Sequence, residues 1–252
     1  AKVGTLMVDN PLRAGLDTPL DELVDIFEEH PFLGMPVVDD SGHLVGVIRK
    51  AAVNEAAEKR SKQTYLKASG IVGGEELRSM PIWSRIGRRL AWLIPSMVLL
   101  VAASIVIVAN EETIREHAIL AAFLTIVAGL SGNSGNQAMA VSIRELALGL
   151  IRPTETLWVF TKEALLGAVV GLTLGVLLGA IAFVYSGEIR LAVVIATALA
   201  INTFFAVLLG GTIPLFLRHI GWDPALASGP ILTTSVDMFG FFLVLSLASA
   251  LL

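Results

Sequence analysis

The chain has 252 residues, 55% of them hydrophobic and 16% charged, with a formal net charge of −4 and no cysteine. A soluble domain carries about 25% charged residues, so a purely soluble enzyme of this size is excluded. The negative balance gives nucleic acid no electrostatic footing, and the lack of Cys removes disulfides, thiolate metal sites and Cys nucleophiles.

The charge is unevenly placed. Residues 1–92 hold 25 Asp, Glu, Lys and Arg, and residues 93–252 hold 15. The first density is that of soluble protein, and the second suits lipid. The expected fold class is therefore mixed: a small α+β cytoplasmic domain followed by an all-α transmembrane domain of five helices. The chain opens on Ala1 with no signal-peptide pattern, and it is expected to be a piece of a longer protein.

The soluble part reads as strand, helix, strand, strand, helix. Thr18-Pro19-Leu20-Asp21 has the form of a helix start, with Thr as N-cap and Pro at the first position. Leu20, Leu23, Val24 and Phe27 follow at helical spacing through Glu29. Met35–Val38 is a short apolar strand, Asp39-Asp40-Ser41-Gly42 a turn, and His43–Ile48 the returning strand. A second helix starts near Lys50.

Thr18-Pro19-Leu20, Pro36-Val37-Val38-Asp39 and Gly42-His43-Leu44-Val45-Gly46-Val47-Ile48 together resemble a CBS (cystathionine-β-synthase-like) motif over residues 1–57. Such motifs fold in pairs, and one is visible here. The resemblance implies a regulatory unit. Its adenosine-binding signature is altered, because Arg49 stands where a hydroxyl residue is expected and Val53 near the place of an Asp. That argues against nucleotide binding.

Residues 58–90 form a polar connector, with Gly70, Gly73 and Gly74 among its charged positions. It is either a plain tether or a helix that carries a signal to a pore. Beyond it, the uncharged stretches 90–110, 117–143, 164–187 and 191–217 each exceed the ~20 residues that span a bilayer core. A fifth, from Pro224 to Leu252, contains only Asp237. The expected spans are 91–110, 117–147, 161–186, 190–217 and 225–251, within a membrane domain of 91–252. Arg85, Arg88, Arg89, Arg144, Arg152, Lys162 and Arg218 put the N-terminal domain in the cytoplasm and the C-terminus outside by the positive-inside rule. Trp83 and Trp92 then fall near the inner interface.

Asp237 is the most informative residue. A carboxylate near mid-membrane costs about 2.5–3.5 kcal/mol on insertion scales and marks an ion or proton route; the plain alternative is a structural Asp bonded to a neighbouring helix. Thr233 and Thr234 sit one turn earlier on the same face. Pro230 frees a backbone carbonyl, and Gly240 lets another helix or a hydrated ion come close. Oxygen atoms gathered in this way suit hard cations.

In the second span, Gly129-Leu130-Ser131-Gly132-Asn133-Ser134-Gly135-Asn136-Gln137 interrupts an apolar run. The helix is expected to be weakened or locally broken there, and such backbone is tolerated only inside protein or beside water. Gly132, Asn133 and Asn136 then line a pore, or the segment is small-residue helix packing with Asn as interhelical glue. Asn202, with Gly210, Gly211 and Pro214, reads as a place where a helix packs or bends. Glu111 and Glu112 either concentrate cations at an entrance or are ordinary interfacial acids. The four His show no metal-ligand spacing, and no Gly-x-Gly-Asp, Ser–His pair or His-Glu-x-x-His supports an enzyme.

The CBS unit, the connector and the five spans, with Gly132-Asn133-Ser134-Gly135-Asn136-Gln137 and Asp223-Pro224-Ala225 … Ser228-Gly229-Pro230 … Thr233-Thr234 … Asp237 … Gly240, resemble the MgtE family of magnesium channels and transporters. The resemblance implies a homodimer in the cell membrane with a pore on its two-fold axis, lined by the second and fifth spans. It implies that Asp237 of both chains recognises hydrated Mg²⁺, with carbonyls near Thr233 and the Gly132, Asn133, Asn136 segment assisting. The resemblance further implies that Mg²⁺ is the transported ion. It is also a candidate regulatory ligand, for which Asp17, Asp21, Glu22, Asp25, Glu28 and Glu29 are available. Two departures stand out. No acidic N-terminal domain or first CBS motif precedes this one, and the connector start Glu58-Lys59-Arg60-Ser61-Lys62 is basic. The alternative function is a proton- or sodium-coupled secondary transporter with Asp237 as coupling site.

Overall fold

A computed structural model describes residues 10–252, so the first nine residues of the expected CBS unit lie outside the described residues. The chain divides into two compact units, one up to Thr64 and one from Tyr65 to Leu252.

The first unit is a three-stranded sheet with helices. Strand β1 (Ala14–Gly15) pairs parallel to β2 (Gly34–Val38), and β2 pairs antiparallel to β3 (Leu44–Arg49). Helix α1 (Leu20–Glu29) makes the crossover that a parallel pair requires. Ala14, Leu23, Phe27 and Met35 form its core with Val53, which lies on the helix that follows β3. The turn before β3 is closed by Asp39, whose Oδ1 accepts from the backbone N–H of Ser41 and of His43, both at 2.9 Å. Gly42 supplies the left-handed residue at φ +81°.

Thr18 does not cap α1. Pro19 is extended (φ −60°, ψ 148°), which keeps it outside the helix as the N-cap, so α1 starts at Leu20. The Thr18 hydroxyl instead accepts from the N–H of Gly15 at 2.9 Å. Helix α2 (Lys50–Ala68) runs on from β3 across the boundary between the units.

The second unit is helical: α3 (Ile82–Ala109), the short α4 (Glu111–Glu116), α5 (Leu120–Ala147), a 3₁₀ turn at Pro153–Glu155, α6 (Thr156–Ser186), α7 (Ile189–His219) and α8 (Pro224–Leu251). Helices α3, α6, α7 and α8 are long and apolar enough to cross a membrane. The equally long α5 is less apolar because of its Gly, Ser and Asn residues. Helices α3 and α6 begin before the first and third expected spans, at Ile82 and Thr156.

Helix α7 is the hub of this unit. Its Leu191, Ile195, Ala198, Leu199, Asn202 and Thr203 are all buried. Against it, α6 presents Gly167, Gly171, Gly175 and Gly179, a four-residue repeat along one face. A Cβ on Gly171 would lie 2.5 Å from the carbonyl O of Ala200, and one on Gly175 2.5 Å from that of Ala196. The two backbones therefore touch, which is the small-residue packing that membrane helices use in place of a hydrophobic drive. By contrast, only Ala103 of α3 is buried.

Candidate functional site

Helix α8 carries the site. Asp223 is its N-cap, with Oδ1 accepting from the N–H of Ala225 at 3.0 Å, and Pro224 fills the first position. Its other oxygen pairs with Lys67 Nζ at 2.7 Å, so the end of α2 is tied to the start of α8. Just beyond, Gly70 (φ +82°) lies so close to the Trp92 ring that a Cβ there would be 2.7 Å from it.

Pro230 does free a carbonyl, that of Leu226 four residues back. The structure gives that carbonyl a partner inside the chain: Trp92 Nε1–H donates to it at 3.0 Å. It is a brace between α3 and α8, not a free ion ligand. This contact also holds the Trp92 indole N–H in the protein. Trp83, 80% exposed, is the residue left facing outward.

Further along α8, Thr233 is half-buried, Thr234 buried and Asp237 half-buried. Thr233 and Thr234, with Pro230, form one wall of an open apolar cavity of about 650 Å³ whose other wall is α3, from Leu90 to Ser104. Asp237 does not line that cavity. It makes no ion pair among the described residues. No cluster of three or more acidic or imidazole side chains that would hold a metal occurs among them either. Within α8 a cation meets a single carboxylate, that of Asp237.

Gly240 takes the first of its two expected roles, the close approach of another helix. The space that its Cβ would occupy is filled by Asn202 of α7, with Nδ2 at 2.5 Å and Cγ at 3.1 Å. The glycine admits a neighbouring helix's amide and is not open to a hydrated ion.

The Gly-Asn segment of α5 is not broken. Residues 120–147 form one continuous α-helix. The reason is packing: Gly135 lies against the backbone of Ala206, and Gly210 of α7 meets the backbone of Gly135. Ser131 Oγ bonds Thr203 Oγ1 at 3.2 Å, and Ser142 Oγ donates to the carbonyl of Gly211 at 2.8 Å. Tertiary contact overrides the weak propensity of the glycines. The opposite face is different. Asn133 and Asn136 are exposed, Gly132 is half-buried, and nothing lies near Gly129 or Gly132. Small-residue packing therefore holds on one face, with serines and not asparagines as the interhelical bonds. Packing takes Ser131, Gly135 and Ser142, while Gly132, Asn133 and Asn136 stay open.

Of the two uses expected of Asn202, packing or bending, it takes the first, filling the space at Gly240 of α8. It is fully buried, and neither side-chain atom has a partner. Among the described residues Glu163 of α6 shares this property at one oxygen, Oε2, beside Gly211. The sequence reading used Glu163 only to bound a span and missed the four-residue glycine repeat of α6, whose regular spacing was the available signal. Glu111 is paired with Arg115 at 2.8 Å on the exposed α4.

A family model described as a divalent cation transporter, MgtE, matches residues 124–247, and a CBS domain model matches residues 3–58. The chain is similar to the magnesium transporter MgtE of Enterococcus faecalis, 29% identical over 91% of this chain and 50% of that protein. It is likewise similar to the magnesium transporters MgtE of Thermus thermophilus (29% identical, 100% of this chain and 56% of that protein) and Bacillus subtilis (26%, 99% and 55%). The chain thus spans about half the length of these curated relatives. With a CBS match at its N-terminal end, a transporter match from α5 to α8, and relatives aligned over most of its length, the chain is similar to the MgtE family from end to end.

Proposed function

We propose that the chain conducts a hydrated divalent cation, Mg²⁺ first, through a pore on the axis of a homodimer, with α5 crossing the bilayer as the fifth span beside α3, α6, α7 and α8. The observation that carries this reading is the open polar face of α5. Asn133 and Asn136 are exposed in the middle of a long helix, and among the described residues no element covers them. Amides facing hydrocarbon without partners cost several kcal/mol each, so this face meets water or a second copy. A half-buried Asp237 without an internal ion pair completes the argument.

In this reading Asp237, Thr233, Gly132, Asn133 and Asn136 face the cation's water shell, and Thr234 supports them from its buried position. Mg²⁺ gives up water reluctantly, so a wide site that holds the hydrated ion avoids most of the dehydration cost. One carboxylate from each chain gives the divalent charge its match, and without the cation two facing carboxylates repel. The N-terminal unit lies in the cytoplasm and the C-terminus outside, as the Arg-rich loops favour. The CBS region then regulates the pore, with Mg²⁺ as a regulatory ligand of its acidic helix. The relatives' name as transporters supports transport over catalysis.

The test is Mg²⁺ flux into liposomes holding the full chain. Asp237→Ala is expected to abolish flux while cross-linking still gives a dimer. Undiminished flux in the variant overturns the reading. Flux that collapses when proton and sodium gradients are removed favours a coupled transporter instead.

A further inference from the structure

Asn202 is 0% exposed, and both its Oδ1 and Nδ2 lack a partner. The next residue, Thr203, is paired with Ser131, so the chain satisfies the hydroxyl and leaves the amide. An unpaired buried amide is costly, and a leucine of similar size would remove that cost. Such groups persist where they serve a function. A second copy of the chain cannot reach a side chain that one copy already buries completely. Whatever completes the amide is small and polar.

The position narrows the choice. The amide occupies the notch at Gly240, and the glycine there is required, because any Cβ would overlap Nδ2. Gly240 lies three residues after Asp237, one turn on and about 4.5 Å along the axis of α8. Positions i and i+3 share a helix face. The notch thus places a donor and an acceptor one turn from the membrane carboxylate. A buried water needs two to four polar partners, and Asn202 with Asp237 supplies them.

We propose that Asn202 is a positioning residue for the cation site: through one water at the level of the Gly240 notch, its amide fixes the Asp237 carboxylate in the orientation that meets the hydrated ion. This rests on the reading of Asp237 as the ion-binding carboxylate. Asn202 touches no ion itself and acts through Asp237.

The experiment measures the Mg²⁺ concentration that half-saturates flux into liposomes, together with the thermal midpoint in detergent. Asn202→Leu is expected to raise the half-saturating concentration on the order of tenfold, the scale of one hydrogen bond to a charged group, with the thermal midpoint equal or higher. An unchanged half-saturating concentration overturns the inference. If Asn202→Leu fails to fold, the double variant Asn202→Ala with Gly240→Ala decides, because the added methyl refills the notch. It is expected to fold and to show the same raised concentration. Wild-type saturation in the double variant means that the amide is packing only, and the inference falls. Asp237→Asn is run alongside. Wild-type behaviour there sinks the ion-site reading itself, whereas an impaired Asp237→Asn beside an unaffected Asn202→Leu sinks the positioning role alone.

Discussion

The two faces of α5 are built from the same kinds of residue and meet opposite fates. On one, Ser131, Gly135 and Ser142 are buried against α7, with backbone contact at Gly135 and hydrogen bonds at both serines. On the other, Gly132, Asn133 and Asn136 have no covering element among the described residues. Small and polar residues in a membrane helix therefore carry no single meaning. Where the partner helix is in the same chain they bring backbones together, and where it is absent they mark a face that something outside the chain completes.

The sharpest way to break this comparison is to load the packed face. Gly210→Ala puts a methyl onto the backbone of Gly135, and Gly135→Ala puts one 2.8 Å from the carbonyl O of Ala206. Neither obstacle is a movable side chain. Each substitution is expected to destabilise the helical unit by about 3 kcal/mol, the upper range for overpacking, as a lower thermal midpoint in detergent. Stability equal to the wild type would mean that α5 and α7 do not pack as described.

The open face gives the converse result. Asn136→Leu removes an exposed amide and fills no space the chain uses. Stability in detergent is expected to stay within about 0.5 kcal/mol of the wild type, as for other exposed positions. Mg²⁺ flux is expected to drop by about tenfold, the loss of one contact to the cation's water shell. A variant that loses both stability and flux would place Asn136 in the packed set.

These two faces also explain what could be read from sequence. The order of a small sheet-bearing part and a charge-poor helical part followed from charge density, since hydrocarbon excludes charge over any ~20-residue span; the boundary did not, because charge thins after Trp92 while the compact units part at Thr64. The sheet of the first unit followed from short apolar runs around Asp39-Asp40-Ser41-Gly42. The cap at Thr18 was misplaced because Pro19 fits two positions of a helix start, and only the backbone angles separate them. Around Asp237, sequence could name Pro230 and Gly240 but not their partners. Trp92 lies more than 130 residues before Leu226, and Asn202 reaches Gly240 from another helix. A local pattern tells which groups are freed and not what takes them up.

A smaller effect belongs to the paired serine. Ser131→Ala deletes the bond to Thr203 and leaves that buried hydroxyl with one partner fewer. Interhelical hydrogen bonds in membranes are individually weak, so about 1 kcal/mol of stability is expected to be lost, with flux unchanged. A larger loss would mean that Ser131 also holds the open face in place.

The same contrast separates two acids, and the smallest expected effect tests it. Asp237 has no ion pair among the described residues, whereas Glu76, with a side chain only 7% exposed, is held by Arg89 at 2.6 Å and Arg85 at 3.1 Å. The hydrogen bond from Arg89, followed by that from Arg85, holds the Glu76 carboxyl below the ordinary carboxylate range. A folded-state pKa below the unfolded value of about 4.3 means that the folded state binds its proton less readily. The stabilisation is therefore complete above the unfolded pKa and is lost as pH falls through the folded one. Glu76→Gln cannot titrate. Its thermal midpoint is expected to lie below that of the wild type by a constant amount from pH 8 to about pH 6, and the gap should close as pH drops below about 4.3. A gap that keeps its size at acid pH would show that Glu76 is held by its packing and not by its charge. Glu76 would then no longer stand as the paired counterpart of Asp237.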